Sequence, residues 1–221
     1  SAFIIADTQD NNITGVKIRD CTFDGSALEL NFIAAFYSDD LKIEGNTFKN
    51  TGQIGGNPHG KTSVTGFRNQ NHRILNNTWD NTYTSYGMGS GNAGGYPEIN
   101  ALLSGNKFLN QPDDSIQTGF INSIIEGNTW DNAQSGVNFA GGSYNVTVRG
   151  NVFRKVMGWA VTDDRPSAAY PNRQLNVYGN SVDDSTNTVN TGGGIGFNYI
   201  YDSIISNNII FALFLREWYI G

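Results

Sequence analysis

The chain is short of cysteine, of charge and of long apolar runs. One cysteine, Cys21, among 221 residues excludes an internal disulfide and any cysteine-built metal framework. Charged residues make up 15%, the net charge is −6, and no stretch concentrates Lys and Arg. A nucleic-acid phosphate backbone needs such a concentration, so no nucleic-acid partner is expected. No apolar run approaches the ~20 residues that span a bilayer, so no membrane partner is expected either. The C-terminal "IIFALFL" (209–215) stops at Arg216 and Glu217. What the chain has instead is 27 glycines and many asparagines, the composition of a molecule full of turns.

Those turns recur. "IEGNTFKN" (43–50) returns as "IEGNTWDN" (125–132), and both belong to a longer series: "IRDCTF", "IEGNTF", "ILNNTW", "LSGNKF", "IEGNTW", "VRGNVF", "VYGNSV" and "ISNNII". The anchors are Cys21, Asn46, Asn77, Asn106, Asn128, Asn151, Asn180 and Asn208, spaced 22 to 31 residues apart. Three places before the anchor stand Ile18, Ile43, Ile74, Leu103, Ile125, Val148, Val177 and Ile205. Two places after it stand Phe23, Phe48, Trp79, Phe108, Trp130, Phe153, Val182 and Ile210. In "LKIEGNTF", Leu41 and Ile43 alternate with Lys42 and Glu44, the period of a strand. Gly or Asn before the anchor suits a tight turn. One strand–turn–strand unit cannot bury its own apolar face, so the copies must stack. Stacked in parallel ~4.8 Å apart, their anchor amides form a ladder, with Cys21 at its end. A third strand per coil is expected at 32–37, 63–67, 115–120, 136–140, 159–163 and 194–199; the coil at 85–98 shows no clear alternation.

This pattern resembles the right-handed parallel β-helix of the pectin-lyase-like superfamily over nearly the whole chain. The expected fold is all-β, a solenoid of about eight coils with an Asn ladder, forming one domain over 1–221. The chain starts in a strand, "AFIIAD", and ends in "REWYIG", so it is expected to be a piece of a longer protein. The alternative is that a homo-oligomer such as a trimer, or flanking domains, covers its ends.

The resemblance implies a polysaccharide or glycan partner held along the first-strand face, and an extracellular or virion-surface location. With Val64, Ile116, Val137, Val161 and Ile195 inward, the residues Thr65, Gln117, Asn138, Thr162 and Gly196 point outward, followed two places on by Phe67, Gly119, Ala140, Asp164 and Asn198. Long loops at 51–61, 82–98, 165–174 and 183–194 border this face. Asp113–Asp114 and Asp163–Asp164–Arg165 lie beside it. Counted in rungs, Asp114 and Asp164 are ~9–10 Å apart along the stack. That distance is compatible with acid–base hydrolysis by carboxylates held ~6.5–9.5 Å apart. "DDSIQTG" is similar to the "DD-x-I" segment of polygalacturonase-type hydrolases, but no "NTD", "GHG" or "RIK" accompanies it. Burial is expected for Asp163, at the place of Phe139 and Phe197, with Arg165 or a loop amide as its partner.

β-Elimination is the other chemistry. It needs a cation, or Ca²⁺, against a uronate carboxylate and a base for the C5 proton. Lys61, Arg68, Tyr170 and His59 are of the right kind; no cofactor is expected unless Ca²⁺ serves a lyase. His72 takes the place of Leu41, Val146 and Leu175 and is expected at the edge of the core. Tyr83, Tyr86, Tyr96, Trp159, Tyr199 and Tyr201 are candidates for stacking on sugar rings. A non-catalytic carbohydrate-binding or structural shaft, as in a viral tail or adhesin, uses the same face without the chemistry.

Overall fold

The computed structural model describes residues 3–6, 13–25, 32–50, 62–67, 69–87, 97–140, 142–164, 171–184 and 193–212. Over these residues the chain is a parallel β-helix. Successive rungs pair in register, so each column of the repeat becomes a line along the axis. Ile18 pairs with Ile43, and the line runs on through Ile74, Leu103, Ile125, Val148 and Val177 to Ile205. The second line runs from Phe23 through Phe48, Trp79, Phe108, Trp130, Phe153 and Val182 to Ile210. Its rings stack face to face inside the coil, with centroids 4.4–5.1 Å apart from Phe23 to Phe153. Each such ring contributes roughly 1.5–3 kcal/mol by burial, and the offset stacking adds about 0.5–1.5 kcal/mol.

The anchor column forms the expected ladder. The backbone N–H of each anchor donates to the side-chain oxygen of the next: Cys21 to Asn46 (3.0 Å), Asn46 to Asn77 (2.9 Å), Asn77 to Asn106 (2.9 Å), Asn106 to Asn128 (2.9 Å), and so on to Asn208. Each side-chain amide returns to a carbonyl of the preceding rung, as Asn106 Nδ2 does to Ile74 (2.8 Å). The corner before it is left-handed, held by Gly45, Gly105, Gly127, Gly150 and Gly179 or by Asp20, Asn76 and Asn207. Two further corners are left-handed as well, and exposed Asn side chains bridge them from rung to rung, as Asn132 does to Asn110 (2.9 Å) and Asn145 to Asn122 (2.9 Å). The repeated phrase holds two of these three corners, at Gly45 and Asn50 in one copy and at Gly127 and Asn132 in another.

Of the glycine-rich stretch at 85–98, residues 85–87 and 97–98 are described, and both pieces pair with neighbouring rungs. The strand Thr84–Gly87 sets Tyr86 between Val64 and Ile116, so Tyr86 is a core residue and not a stacking platform.

A second polar column runs inside the coil. Ser38 N donates to Asn69 Oδ1 (3.1 Å), and Asn69 Nδ2 donates to Glu98 Oε1 (3.0 Å). Further along, Phe120 N donates to Ser143 Oγ (3.1 Å), and Ser143 N to Asn172 Oδ1 (3.0 Å). His72 sits beside its upper part. Its Nε2 is 2.8 Å from Ser38 Oγ, and its Nδ1 is 3.2 Å from the Tyr86 hydroxyl and 3.5 Å from Glu98 Oε2. As expected His72 replaces the core residues Leu41, Val146 and Leu175, and it is buried like them. Burial lowers the His72 pKa from 6.5 to about 3, against the opposing pull of Asp39. Burial raises the Glu98 carboxyl from 4.5 to about 7, although the Asn69 hydrogen bond favours its charge.

Two predictions follow from these columns. Asn106→Ala strips the acceptor from Asn77 N and Nδ2 and a donor from Ile74 O and Asn128 Oδ1, four buried groups in all. It should cost about 3 kcal/mol in urea denaturation, whereas Thr78→Ala, half-buried and outward on a neighbouring rung, should stay within about 0.5 kcal/mol. The second concerns pH. Glu98 stabilises in full below 4.5, and its contribution is lost as pH rises to about 7; that of His72 is full above 6.5 and is lost as pH falls towards 3. Their slopes offset between 4.5 and 6.5, so this pair gives a plateau there with a decline on either side. In Glu98→Gln, stability should instead keep rising to 6.5 and stay level above it; an unchanged alkaline decline would assign that decline to another group.

Candidate functional site

The outward side of the first face is set by strand register. Inward, Ile116 pairs with Val137, Val137 with Val161 and Val161 with Ile195. Outward, Gln117, Asn138, Thr162 and Gly196 fall in one line across four rungs. Thr65 and Gly87 extend that line towards the N-terminus. The alignment expected from the repeat is therefore the one observed. Exposure differs along it. Gln117 and Thr162 are half-buried, but Asn138 is only 7% exposed, because its side chain turns aside to donate from Nδ2 to Asp114 Oδ2 (2.7 Å). Of the next outward places, Asn198 is exposed, whereas Gly119 is buried.

Asp113 and Asp114 are half-buried where the strand Lys107–Thr118 rounds a corner; Ser115 and Ile116 are both buried there, breaking strict alternation. The register also shifts between Gln111 and Asp114. Ser115 Oγ fixes the bend by donating to Ser135 O (3.0 Å). Tyr83 belongs to the same neighbourhood: burial first, then the charges of Asp113 and Asp114, raise its phenol above the ordinary value. Tyr83 thus stands near two carboxylates, a grouping that separate sequence segments did not reveal.

Asp163 has a different role from Asp114. It is 7% exposed, in register with Phe139, and Phe197 packs 6.3 Å from the Phe139 ring. Its carboxylate accepts from Asn198 N (3.0 Å), Asn198 Nδ2 (3.2 Å) and Tyr199 N (3.3 Å). The expected loop-amide partner is therefore present, and Asp163 and Asn198 clamp the turn that opens the last described rung.

The structure does not bring Asp114 and Asp164 to one point of the row. Asp114 pairs with Ser135, three residues before Gln117; Asp164 pairs with Ala140, two residues beyond Thr162. Five residues, with the corner among them, separate the two places along the chain direction, in addition to two rungs. The ~9–10 Å expectation counted rungs alone and left out this offset. For Asp164 the strand backbone is described and the side chain is not; Arg165, Lys61, Arg68, Tyr170, Tyr96 and His59 lie outside the described residues, with most of the bordering loops.

At the far end of the row the Trp159 indole lies against Gly196. A Cβ at Gly196 would come within 2.6 Å of its ring, so glycine is what lets the indole lie flat on the strand. Trp159 is half-buried, and Gly196 pairs with Thr162 on the adjoining rung. Tyr199 and Tyr201 are 41% and 45% exposed on the last described rung, and Arg173 lies 5.0 Å over the Tyr201 ring. Among the described residues no group of three or more His, Cys, Asp or Glu side chains is placed to hold a metal ion.

A family described as "right handed beta helix region" matches residues 2–172. No curated protein and no solved structure matches the chain. The match spans most of the sequence and coincides with the stacked rungs, the Asn ladder and the ring column, and the chain belongs to the right-handed β-helix family.

Proposed function

We propose that the chain holds an extended glycan along its first face and acts on it by hydrolysis. The reading is carried by Gln117 and Thr162, half-buried on the rungs either side of the inturned Asn138, with the row ending at the Trp159 ring: amide and hydroxyl groups two rungs apart, closed by an aromatic platform. Such groups suit sugar hydroxyls and the apolar face of a pyranose. Asp114 is the acid in this reading. Its carboxylate is oriented by Asn138 at the edge of the row, and Tyr83 stands near it. Asp113, Asp164 and Arg165 are the remaining candidates for the second catalytic group. Lys61, Arg68 and Tyr170 are the groups that β-elimination of a uronate would recruit, with Ca²⁺ where a lyase requires it. Asn198 contributes through the clamp on Asp163.

Two observations favour a second reading, a non-catalytic glycan-binding shaft of a viral tail or cell-surface adhesin, either oligomeric or flanked by other domains. Both Asp163 oxygens are taken by the turn at 198–199, and Asp114 and Asp164 are offset along the strands.

Binding and cleavage separate the two. Trp159→Ala and Thr162→Ala should each weaken glycan retention in affinity electrophoresis by about tenfold while leaving the melting transition in place. Asp114→Asn should retain binding and lower reducing-end release by roughly a hundredfold or more. Wild-type binding with no release of reducing ends or unsaturated uronate would decide for the shaft, and loss of neither binding nor cleavage in these variants would remove the row from the function.

A further inference from the structure

The grouping of Ser38, His72 and Glu98 is a nucleophile, a base and an acid in line. Ser38 Oγ lies 2.8 Å from His72 Nε2, and Glu98 Oε2 lies 3.5 Å from His72 Nδ1. The three residues come from three consecutive rungs, at places that hold Leu41, Val146 and Phe120 elsewhere in the stack. All are sealed from solvent, at 1%, 1% and 3% exposure. A nucleophile so enclosed meets no external substrate. The electrophile next to it is the carbonyl carbon of Tyr37, the preceding residue.

That carbonyl belongs to a strained residue. Tyr37 has φ 52°, and among the described residues it is the one aromatic side chain in the left-handed region, which is otherwise occupied almost wholly by Asn, Asp and Gly. Asn and Asp tolerate this conformation; an aromatic residue is held there against its preference. Breaking the bond after Tyr37 releases that strain.

We propose that Ser38 cleaves the chain's own backbone at the Tyr37–Ser38 peptide bond through an N-to-O acyl shift, with His72 as the base. Ser38 Oγ bonds to the Tyr37 carbonyl carbon and gives its proton to His72 Nε2. The C–N bond to Ser38 breaks, and His72 returns the proton to the departing nitrogen. The product is a Tyr37 ester on Ser38 with a free Ser38 amine. One water then hydrolyses the ester, leaving a Tyr37 carboxylate and restoring the Ser38 hydroxyl.

Glu98 sets the direction of the relay as a positioning residue. While Glu98 is neutral, the Tyr86 hydroxyl donates to Nδ1 (3.2 Å), and Nε2–H then points at Ser38, which in turn donates to Asn69 Oδ1 (2.9 Å). Ionised, Glu98 draws the ring proton to Nδ1 by its charge, 3.5 Å away, and frees the Nε2 lone pair for the Ser38 hydroxyl proton. The other groups acting on His72 are the Tyr86 hydroxyl and the charges of Asp39 and Arg73. Cleavage is therefore faster above the Glu98 value of about 7 than below it.

The test is the intact mass of the full chain under denaturing conditions, followed over days on both sides of that pH, with and without hydroxylamine. Denaturation is needed because strand pairing on both sides of the corner keeps the pieces together. Two fragments, one ending at Tyr37 and one beginning at Ser38, together heavier than the chain by one water, are expected. Hydroxylamine should accelerate the break and leave a hydroxamate on Tyr37. Ser38→Ala should stay whole, Ser38→Cys should still cleave, and His72→Gln should slow the break roughly a hundredfold. Glu98→Gln should abolish the pH step. A wild-type chain of unbroken mass under every condition overturns the proposal, as does cleavage that persists in Ser38→Ala.

Discussion

Register is the constraint on which this molecule rests, and the Asn ladder is what holds it. A parallel strand displaced by one residue would turn every inward side chain outward. At the anchor corner such a slip would also take each backbone N–H away from the side-chain oxygen of the next rung. That penalty recurs from Cys21 to Asn208, in a setting where an unmade hydrogen bond leaves a buried group without water. The ring column and the outward row of the first face are consequences of the same registration. They are lines only because every rung starts from the same point.

The interior is not uniformly apolar, and its exceptions are local. From Ser143 to Asn172 the second polar column carries out a ladder's work, satisfying backbone amides at a corner. Around Ser38, Asn69, His72 and Glu98 it does more than this, because His72 and Glu98 occupy positions that Leu, Val and Phe fill on other rungs. Replacing dispersion and burial with a network of titratable groups makes the stability of those rungs depend on pH. The outer face shows a milder version. Asn138 gives up exposure to orient Asp114, and Asp163 gives up availability to fix a turn.

Much of this was legible in the sequence, and the boundary of legibility has physical causes. The two apolar columns, the ladder and the outward row could be read because a repeat with fixed places before and after an anchor determines position around the coil and order along it. Position along a strand is a third coordinate, and the bend at Ser115–Ile116 and the register shift before Asp114 change it without altering the repeat. That is why two aspartates two rungs apart stand at different places along their strands. Tyr86 was hidden because glycine suppresses the alternation by which strands are recognised, although the strand itself pairs on both sides. The Ser38–His72–Glu98 cluster joins residues separated by 26 to 34 positions, and its one sequence trace is a histidine standing in an apolar column.

The last described rung is built like the others, yet Ile204, Ile205, Ile209, Ile210 and Phe211 on it are 46–71% exposed. Each rung of a solenoid gains its stability from the two that flank it, so cohesion is greatest where a rung is paired on both sides. The rungs from Trp79 to Phe153 are paired in that way throughout, and their amide protons are expected to exchange only when the whole column comes apart.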